Sequence, residues 1–198
     1  MFTGNDEVLA TAGRDPGSRA PAPGSLRLVQ ALVNTLSVEM ERDLLGTPGD
    51  ASGWLRAAGL MPAGSALTGP EQGALTEVRE AVRQVLATHT GRTEDAAAAS
   101  RLNWALACCR LTTAIDPAGG VRLVSADHDP FARAIGAIAI AIAEAGAAGT
   151  WPRLKSCPGD LCGWAFYDRS ASARARWCSM QLCGARSKMR AYRDRQPG

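Results

Sequence analysis

Four cysteines in two pairs of identical interval, Cys157-Pro-Gly-Asp-Leu-Cys162 and Cys178-Ser-Met-Gln-Leu-Cys183, constrain the fold more than any other feature of the chain. A structural zinc ion takes four soft or borderline ligands at tetrahedral corners, and two short loops that each present two thiolates supply them with little backbone strain. Each pair has four intervening residues where the commonest fingers have two, yet the repeated interval argues against chance. The 15 residues between the pairs, Gly163 to Trp177, are long enough for a hairpin that folds one loop back onto the other.

Other uses of four cysteines fit less well. Two disulfides need an oxidising compartment, but no apolar signal sequence opens the chain, so a reducing compartment, the cytoplasm, is expected and the spacing then favours metal or catalysis. A nucleophilic thiol needs a positioned base, and the two histidines, His89 and His128, lie far off in sequence. The common iron-sulfur motifs concentrate three of their four cysteines in one run. The expectation is one Zn²⁺ per chain, held by Cys157, Cys162, Cys178 and Cys183.

The chain's formal charge of +3 conceals strong polarisation. Residues 151–198 hold ten basic and three acidic side chains, while residues 1–150 hold 12 and 16, so the halves stand at +7 and −4. Four thiolates on one Zn²⁺ add about −2, leaving the C-terminal module near +5. Beyond Cys183 the sequence has helical periodicity. At about 100° per residue Arg186, Arg190 and Arg193 share a stripe, with Lys188 on the same segment, while Ala185, Met189 and Tyr192 form an apolar stripe expected to pack on the finger. Arg174-Ala-Arg-Trp177 alternates in the strand period, which puts Arg174 and Arg176 on one face. Eight of the module's ten basic residues are arginine, the residue suited to phosphate, so Arg174, Arg176, Arg186, Lys188, Arg190 and Arg193 are the candidate nucleic-acid contacts, with a merely solvated basic face as the alternative.

The same residues carry a resemblance. Leu154-Lys-Ser-Cys157, Cys162-Gly-Trp-Ala-Phe-Tyr-Asp168, Arg176-Trp-Cys-Ser-Met180 and Cys183-Gly-Ala-Arg186, followed by Lys188 and Tyr192-Arg193, resemble the CGNR-type zinc finger of bacterial proteins described as stress-induced transcription regulators. Alanine at 185 replaces that finger's asparagine; all four ligands remain. Val33-Asn34-Thr35, Trp54-Leu55, Ala58-Gly59-Leu60, Val78-Arg79-Glu80-Ala81 and Leu102-Asn103 resemble, in that order, the ABATE domain that precedes such fingers. The resemblance implies DNA binding by the finger and sensing of a small molecule or partner by the first domain.

Read from its start, the chain opens with residues 1–24, too rich in proline and glycine to order a core and expected to form a disordered extension. Residues 25–150 read as a helical domain. Ser25 caps a helix running to about Leu45 and containing Asn34, which either meets a structural need or, with Asn103, lines a ligand pocket. A short helix ends at Gly59, and Thr68-Gly-Pro-Glu71 is a capping box for a helix running to about Thr88. Another helix, from about Thr93, buries Leu102, Leu106 and Cys109, with Cys108 and Cys109 as core thiols. Leu111–Ile115 and Val121–Val124 flank a turn and form one hairpin. A helix from Asp129-Pro130 runs through Ala134–Ile142. Arg133 and Glu144 bracket only about ten apolar residues, short of the roughly 20 a bilayer needs, so it reads as the centre of the core and not a membrane span.

The expected fold is therefore mostly α with one small hairpin (α+β), a helical domain joined to a treble-clef-like or ribbon-like zinc finger over 151–198. No phosphate loop, dinucleotide fingerprint or nucleophile with its base is present, and no enzyme is expected. The leading function is a zinc-dependent transcription regulator binding DNA, with a homodimer plausible on the grounds that one small finger reads few bases. RNA is the second partner, since Trp164, Phe166, Tyr167 and Trp177 could stack bases, although a small finger needs them as its core. A protein-docking module, its basic face held by the acidic N-terminal half, is the third.

Overall fold

The computed structural model describes residues 9, 11 and 15–195. The expected disordered extension thus falls partly outside the described residues, but residues 15–24 are placed and engaged: Arg169 Nη2 donates to the Pro21 carbonyl at 2.7 Å, and Ala22 is buried with its amide donating to Gln30 Oε1. Proline and glycine forbid regular structure here; they do not forbid a strap held by long polar side chains.

Helix α1, Leu26–Val33, has seven of its eight residues buried. It takes the central place expected of the later apolar helix. Its expected run to Leu45 stops at Asn34, the C-cap, because the Asn34 side chain is committed elsewhere (below) and the chain turns into a two-strand hairpin, β1 (Leu36–Ser37) and β2 (Arg42–Asp43). Asp43 is fixed by Arg79, which is 2% exposed, at 3.0 Å. Helix α2, Pro48–Ala57, is capped by Thr47 and closes at Gly59, whose φ of +71° permits the paired bonds Gly59 N–H to Arg56 O and Leu60 N–H to Leu55 O. Helix α3, Gly69–Thr88, has both bonds of its capping box and buries Leu75, Val78, Val82 and Leu86, as its periodicity requires.

Helix α4, Ala96–Ala107, begins at Asp95 and buries Leu102. Cys108 is exposed and Cys109 half-buried, so neither is the core thiol expected of them. Strands β3 (Leu111–Ile115) and β4 (Val121–Ser125) pair antiparallel as expected. Helix α5, Pro130–Ala147, has 18 residues of mean hydropathy 1.4, enough in length and composition to approach a bilayer span. Instead it packs Ala134, Ile138, Ala141 and Ala145 into the core alongside α1.

The chain then enters a 3₁₀ turn, Trp151–Arg153, and the strands β5 (Leu154–Ser156) and β6 (Ala165–Tyr167), paired Leu154 with Tyr167 and Ser156 with Ala165. The hairpin of the finger therefore spans the first cysteine pair and does not lie in 163–177. Its inner face belongs to the helical core: Leu154 and Ala165 are fully buried with α1 and α3. Polar clamps hold it there. Asn34 Nδ2 donates to Ala165 O at 2.9 Å and Asn34 Oδ1 accepts from Ala165 N at 2.7 Å, so the side chain pairs with the β6 edge as a neighbouring strand would. Arg83 donates to Val33 O and Gly163 O, the Thr90 hydroxyl donates to Ser156 O, and His89 Nδ1 lies 2.7 Å from Leu154 O, an acceptor, which assigns the proton to Nδ1. Gly163 has φ +60°, and a Cβ there would lie 2.9 Å from Arg83 Nη1.

Asn34 is thus a structural clamp. Replacing it with alanine should strand the buried Ala165 N–H, while Ala165 O keeps Gln30 Nε2 at 3.2 Å. One orphaned buried donor costs about 1–3 kcal/mol, so Asn34→Ala should lower the unfolding free energy read from urea titration by that amount without changing the zinc content. A cost below about 0.5 kcal/mol would show that the clamp carries no load of this size.

Candidate metal centre and finger surface

The first cysteine pair sits in the turn of the β5–β6 hairpin. Cys157 N–H donates to Trp164 O at 2.9 Å, extending the ladder by one rung, and Cys162 N–H donates to Gly159 O, closing a tight knuckle. The second pair arrives differently. Ser179 caps a π-helical turn, Met180–Gly184, that runs directly into α6, Ala185–Arg193, so Cys183 projects from the start of a helical segment with Cys178 just before it. A knuckle facing a helical start is the treble-clef-like arrangement of the two foreseen.

All four Sγ atoms lie within 4.8 Å of one another, with Cys162 to Cys178 and Cys178 to Cys183 both 3.6 Å. Ligands 2.3 Å from a tetrahedral zinc ion are about 3.8 Å apart, so the cluster matches a Cys₄ zinc shell and is far from disulfide geometry. The backbone is shaped to the cluster too: a Cβ on Gly159 would sit 3.6 Å from Cys183 Sγ and 3.7 Å from Cys157 Sγ. Hydrogen bonds from the Cys162 and Cys178 thiols, with the amides of Cys178 and Gly159, hold the Cys157 thiol down to about 2. Sharing the proton with Cys157 pushes Cys162 up to about 12, the same sharing raises Cys178, and burial raises Cys183. Four thiols that cannot all ionise among themselves are the donor set that a divalent cation completes.

Family models now bear on this arrangement. One, for the CGNR zinc finger, matches residues 153–196. Another, the ABATE model described as "Putative stress-induced transcription regulator", matches residues 26–149. The chain belongs to the ABATE family. Its finger is a CGNR zinc finger, and the four cysteines fit a single zinc ion. A search of curated proteins gives no match.

Within this finger of the ABATE chain, an ion pair that sequence reasoning missed does what zinc does not. Lys155 (3% exposed) and Asp168 (0%) are bonded at 2.8 Å. Lys155 Nζ also donates to Ala173 O and Ala175 O, and Asp168 Oδ2 accepts from Ala175 N. These bonds hold residues 173–175, which take no strand partner. The expected strand over 174–177 is therefore absent, although its alternation survives: Arg174 and Arg176 are exposed, Ala175 and Trp177 half-buried. The available signal was one charge within the first short strand, Lys155, and one of opposite sign directly after the second, Asp168.

The CGNR signature can be placed residue by residue. Gly184 is crowded, a Cβ there lying 3.0 Å from Met180 Sδ. Ala185, where the CGNR motif has asparagine, is exposed at the start of α6. Arg186 is exposed and pairs with Glu39 at 2.7 Å; Arg190 pairs with Asp160. Lys188 and Arg193 are exposed as well. The apolar stripe does not pack on the finger as expected: no residue of α6 is buried, and Met189 and Tyr192 are 53% and 54% exposed. The finger fills its small core with Trp164 and Phe166 instead, which leaves nothing for the helix face to cover. Asn34 and Asn103 are not brought together as one pocket. Asn34 is buried and borders a cavity between α1 and the finger; Asn103 is exposed on α4 and does not line it.

Proposed function

We propose that this chain is a transcription regulator that contacts duplex DNA through the finger, with zinc as a structural ion. The observation that carries the reading is the coincidence of Arg174, Arg176, Arg186, Lys188, Arg190 and Arg193 on the exposed surface of one zinc-fixed unit, with α6 standing clear of the core along its whole length. Zinc with four thiolates has no open position for a substrate, so the metal orients the helix and supplies no catalysis. Phosphate contact by Arg186 and Arg190 replaces Glu39 and Asp160 as their partners. Exposed pairs are worth only about 0–1 kcal/mol each, so the exchange is inexpensive. DNA is favoured over RNA because Trp164, Phe166 and Tyr167 are buried and cannot offer their faces to unpaired bases. Binding as a homodimer, with a small molecule controlling it, completes the proposal.

Fluorescence anisotropy of the zinc-loaded chain with duplex DNA across a salt series tests this. If about five phosphates are neutralised, log affinity should fall with log salt at a slope near −4 to −5, and Arg186→Ala should make the slope shallower by about one. Flat, salt-independent anisotropy would remove nucleic acid as the partner. The Arg186–Glu39 bond favours a second reading, a finger masked by its own acidic domain. Under that reading Glu39→Gln tightens binding; under simple exposure it leaves affinity within about twofold.

A further inference from the structure

Helix α5 is uncharged along its length except at Arg133 and Glu144, and both stand on one face. At about 100° per residue, positions 133, 137, 140 and 144 fall within about 60° of arc, beside the stripe of Ala134, Ile138, Ala141 and Ala145 that the core takes. This second face forms one wall of a cleft of about 350 Å³, closed on its other sides by β4, by Leu28 of α1 and by Leu60 after α2. We infer that the cleft is a binding site for an organic acid with a hydrocarbon body and a single anionic head, the head held by Arg133 and Arg122.

The head has partners available to it. Arg122 and Arg133 both line the cleft and both are exposed, and neither guanidinium makes a hydrogen bond or ion pair with another described residue. Arg79, Arg83 and Arg110 of the same domain each have a carboxylate. Guanidinium groups without one, at the edge of an apolar wall, are suited to a carboxylate brought by a ligand. The one carboxylate in the wall, Glu144, lies about 16 Å along the helix from Arg133 and accepts from the Ser25 hydroxyl at 2.5 Å. It repels a second acidic group at that end, so the ligand is a monoanion. Between the two charges the body meets Ala137 and Ile140, half-buried, over a floor that includes the buried Leu28. Arg133 to Ile140 is about 10 Å, the reach of about eight carbons. The volume falls within the roughly 300–1,000 Å³ of small-molecule sites.

The cleft and the finger hold opposite ends of one helix. Ser25, bonded to Glu144, is the N-cap of α1, and Asn34, bonded to both backbone groups of Ala165, is its C-cap. A ligand that displaces Ser25 from Glu144 therefore acts on the element that seats β6. This deepens the regulator reading by giving its effector a place and a chemical class; it rests on that reading for its consequence, not for the binding itself.

The test uses the full zinc-loaded chain without nucleic acid. In ¹H–¹⁵N spectra the amide resonances of Leu28, Ala137 and Ile140 are followed while octanoate, 1-octanol or octanedioate is added. The expected result is saturable movement with octanoate at a Kd below about 1 mM, at least about tenfold tighter than with either of the other two, and weakened at least about fivefold in Arg133→Met or Arg122→Met. Both substitutions fall on exposed side chains, so the fold is kept and the comparison stands. The inference is overturned if these resonances stay in place up to about 5 mM octanoate, if 1-octanol binds as tightly, or if neither variant weakens binding, since each outcome leaves the arginines merely solvated. Octanedioate binding as tightly as octanoate overturns the single-head assignment. Octanoate bound by a chain that ignores duplex DNA leaves the site standing and removes the regulator; DNA binding by a chain that does not respond to octanoate removes only the site.

Discussion

Cys178→Ser should yield a chain with no zinc in place of one ion per chain, and with amides from Cys178 through α6 exchanging as though unfolded. Apparent binding free energies of structural zinc sites are about 10–16 kcal/mol, more than a module of this size gains from its few buried side chains, so losing one ligand removes most of what orders the segment. The loss should stop at a definite boundary. Leu154 and Ala165 are buried with α1 and α3, and their strands are held by Asn34, Arg83 and Thr90. Hydrogen exchange read by mass spectrometry should therefore show α1, α3 and most of β5–β6 still protected while 178–193 is lost. Chelation of the wild-type chain should give the same map. Full protection of α6 after complete zinc removal would show that side-chain packing, and not metal, orders the helix.

The second large effect is expected at Lys155. Removing one partner of a buried ion pair leaves the other uncompensated, at about 3–5 kcal/mol, so Lys155→Ala should destabilise the chain by that much in urea at neutral pH. Burial alone would raise the Asp168 carboxyl, but the bonds from Lys155, Ser170 and the Ala175 amide outweigh it and hold the group well below the usual carboxylate range. A lowered folded-state value means that the carboxylate contributes its full stability above the unfolded value of about 3.9 and loses it as pH falls from there towards the folded value. Because acid also protonates the thiolates, Asp168→Asn at neutral pH is the cleaner comparison. It should cost less when added to Lys155→Ala than when made alone, the coupling expected of two residues in one network. Additive losses would mean that the two side chains act independently.

Much of the chain was legible in its sequence, for identifiable reasons. Helix ends written in local chemistry were readable: the Thr68/Glu71 box, Asp129 before Pro130, and Gly59 each act through bonds to neighbours within a few residues. The cysteine intervals were readable because a metal demands fixed ligand chemistry whatever surrounds it. What failed depended on partners distant in sequence. Asn34 looked like a mid-helix residue because its partner, Ala165, is 131 positions away. The stripe of Met189 and Tyr192 looked like core because periodicity says that a face is apolar without saying whether anything meets it. The alternation at 174–177 was real in burial and wrong in secondary structure, since Lys155 and Asp168 supply the bonds a neighbouring strand would otherwise make.

The clamp between Asn34 and Ala165 also limits how such a chain can be cut and recombined. A crossover near Gly149, where the two family matches meet, would separate β6 from the side chain that completes its edge and lay Leu154 and Ala165 open to water. The finger is thus a poor cassette by itself. A chimera that exchanges it should carry the matching α1 along, and fusions that respect only the sequence boundary should aggregate where those that trade both pieces stay in solution.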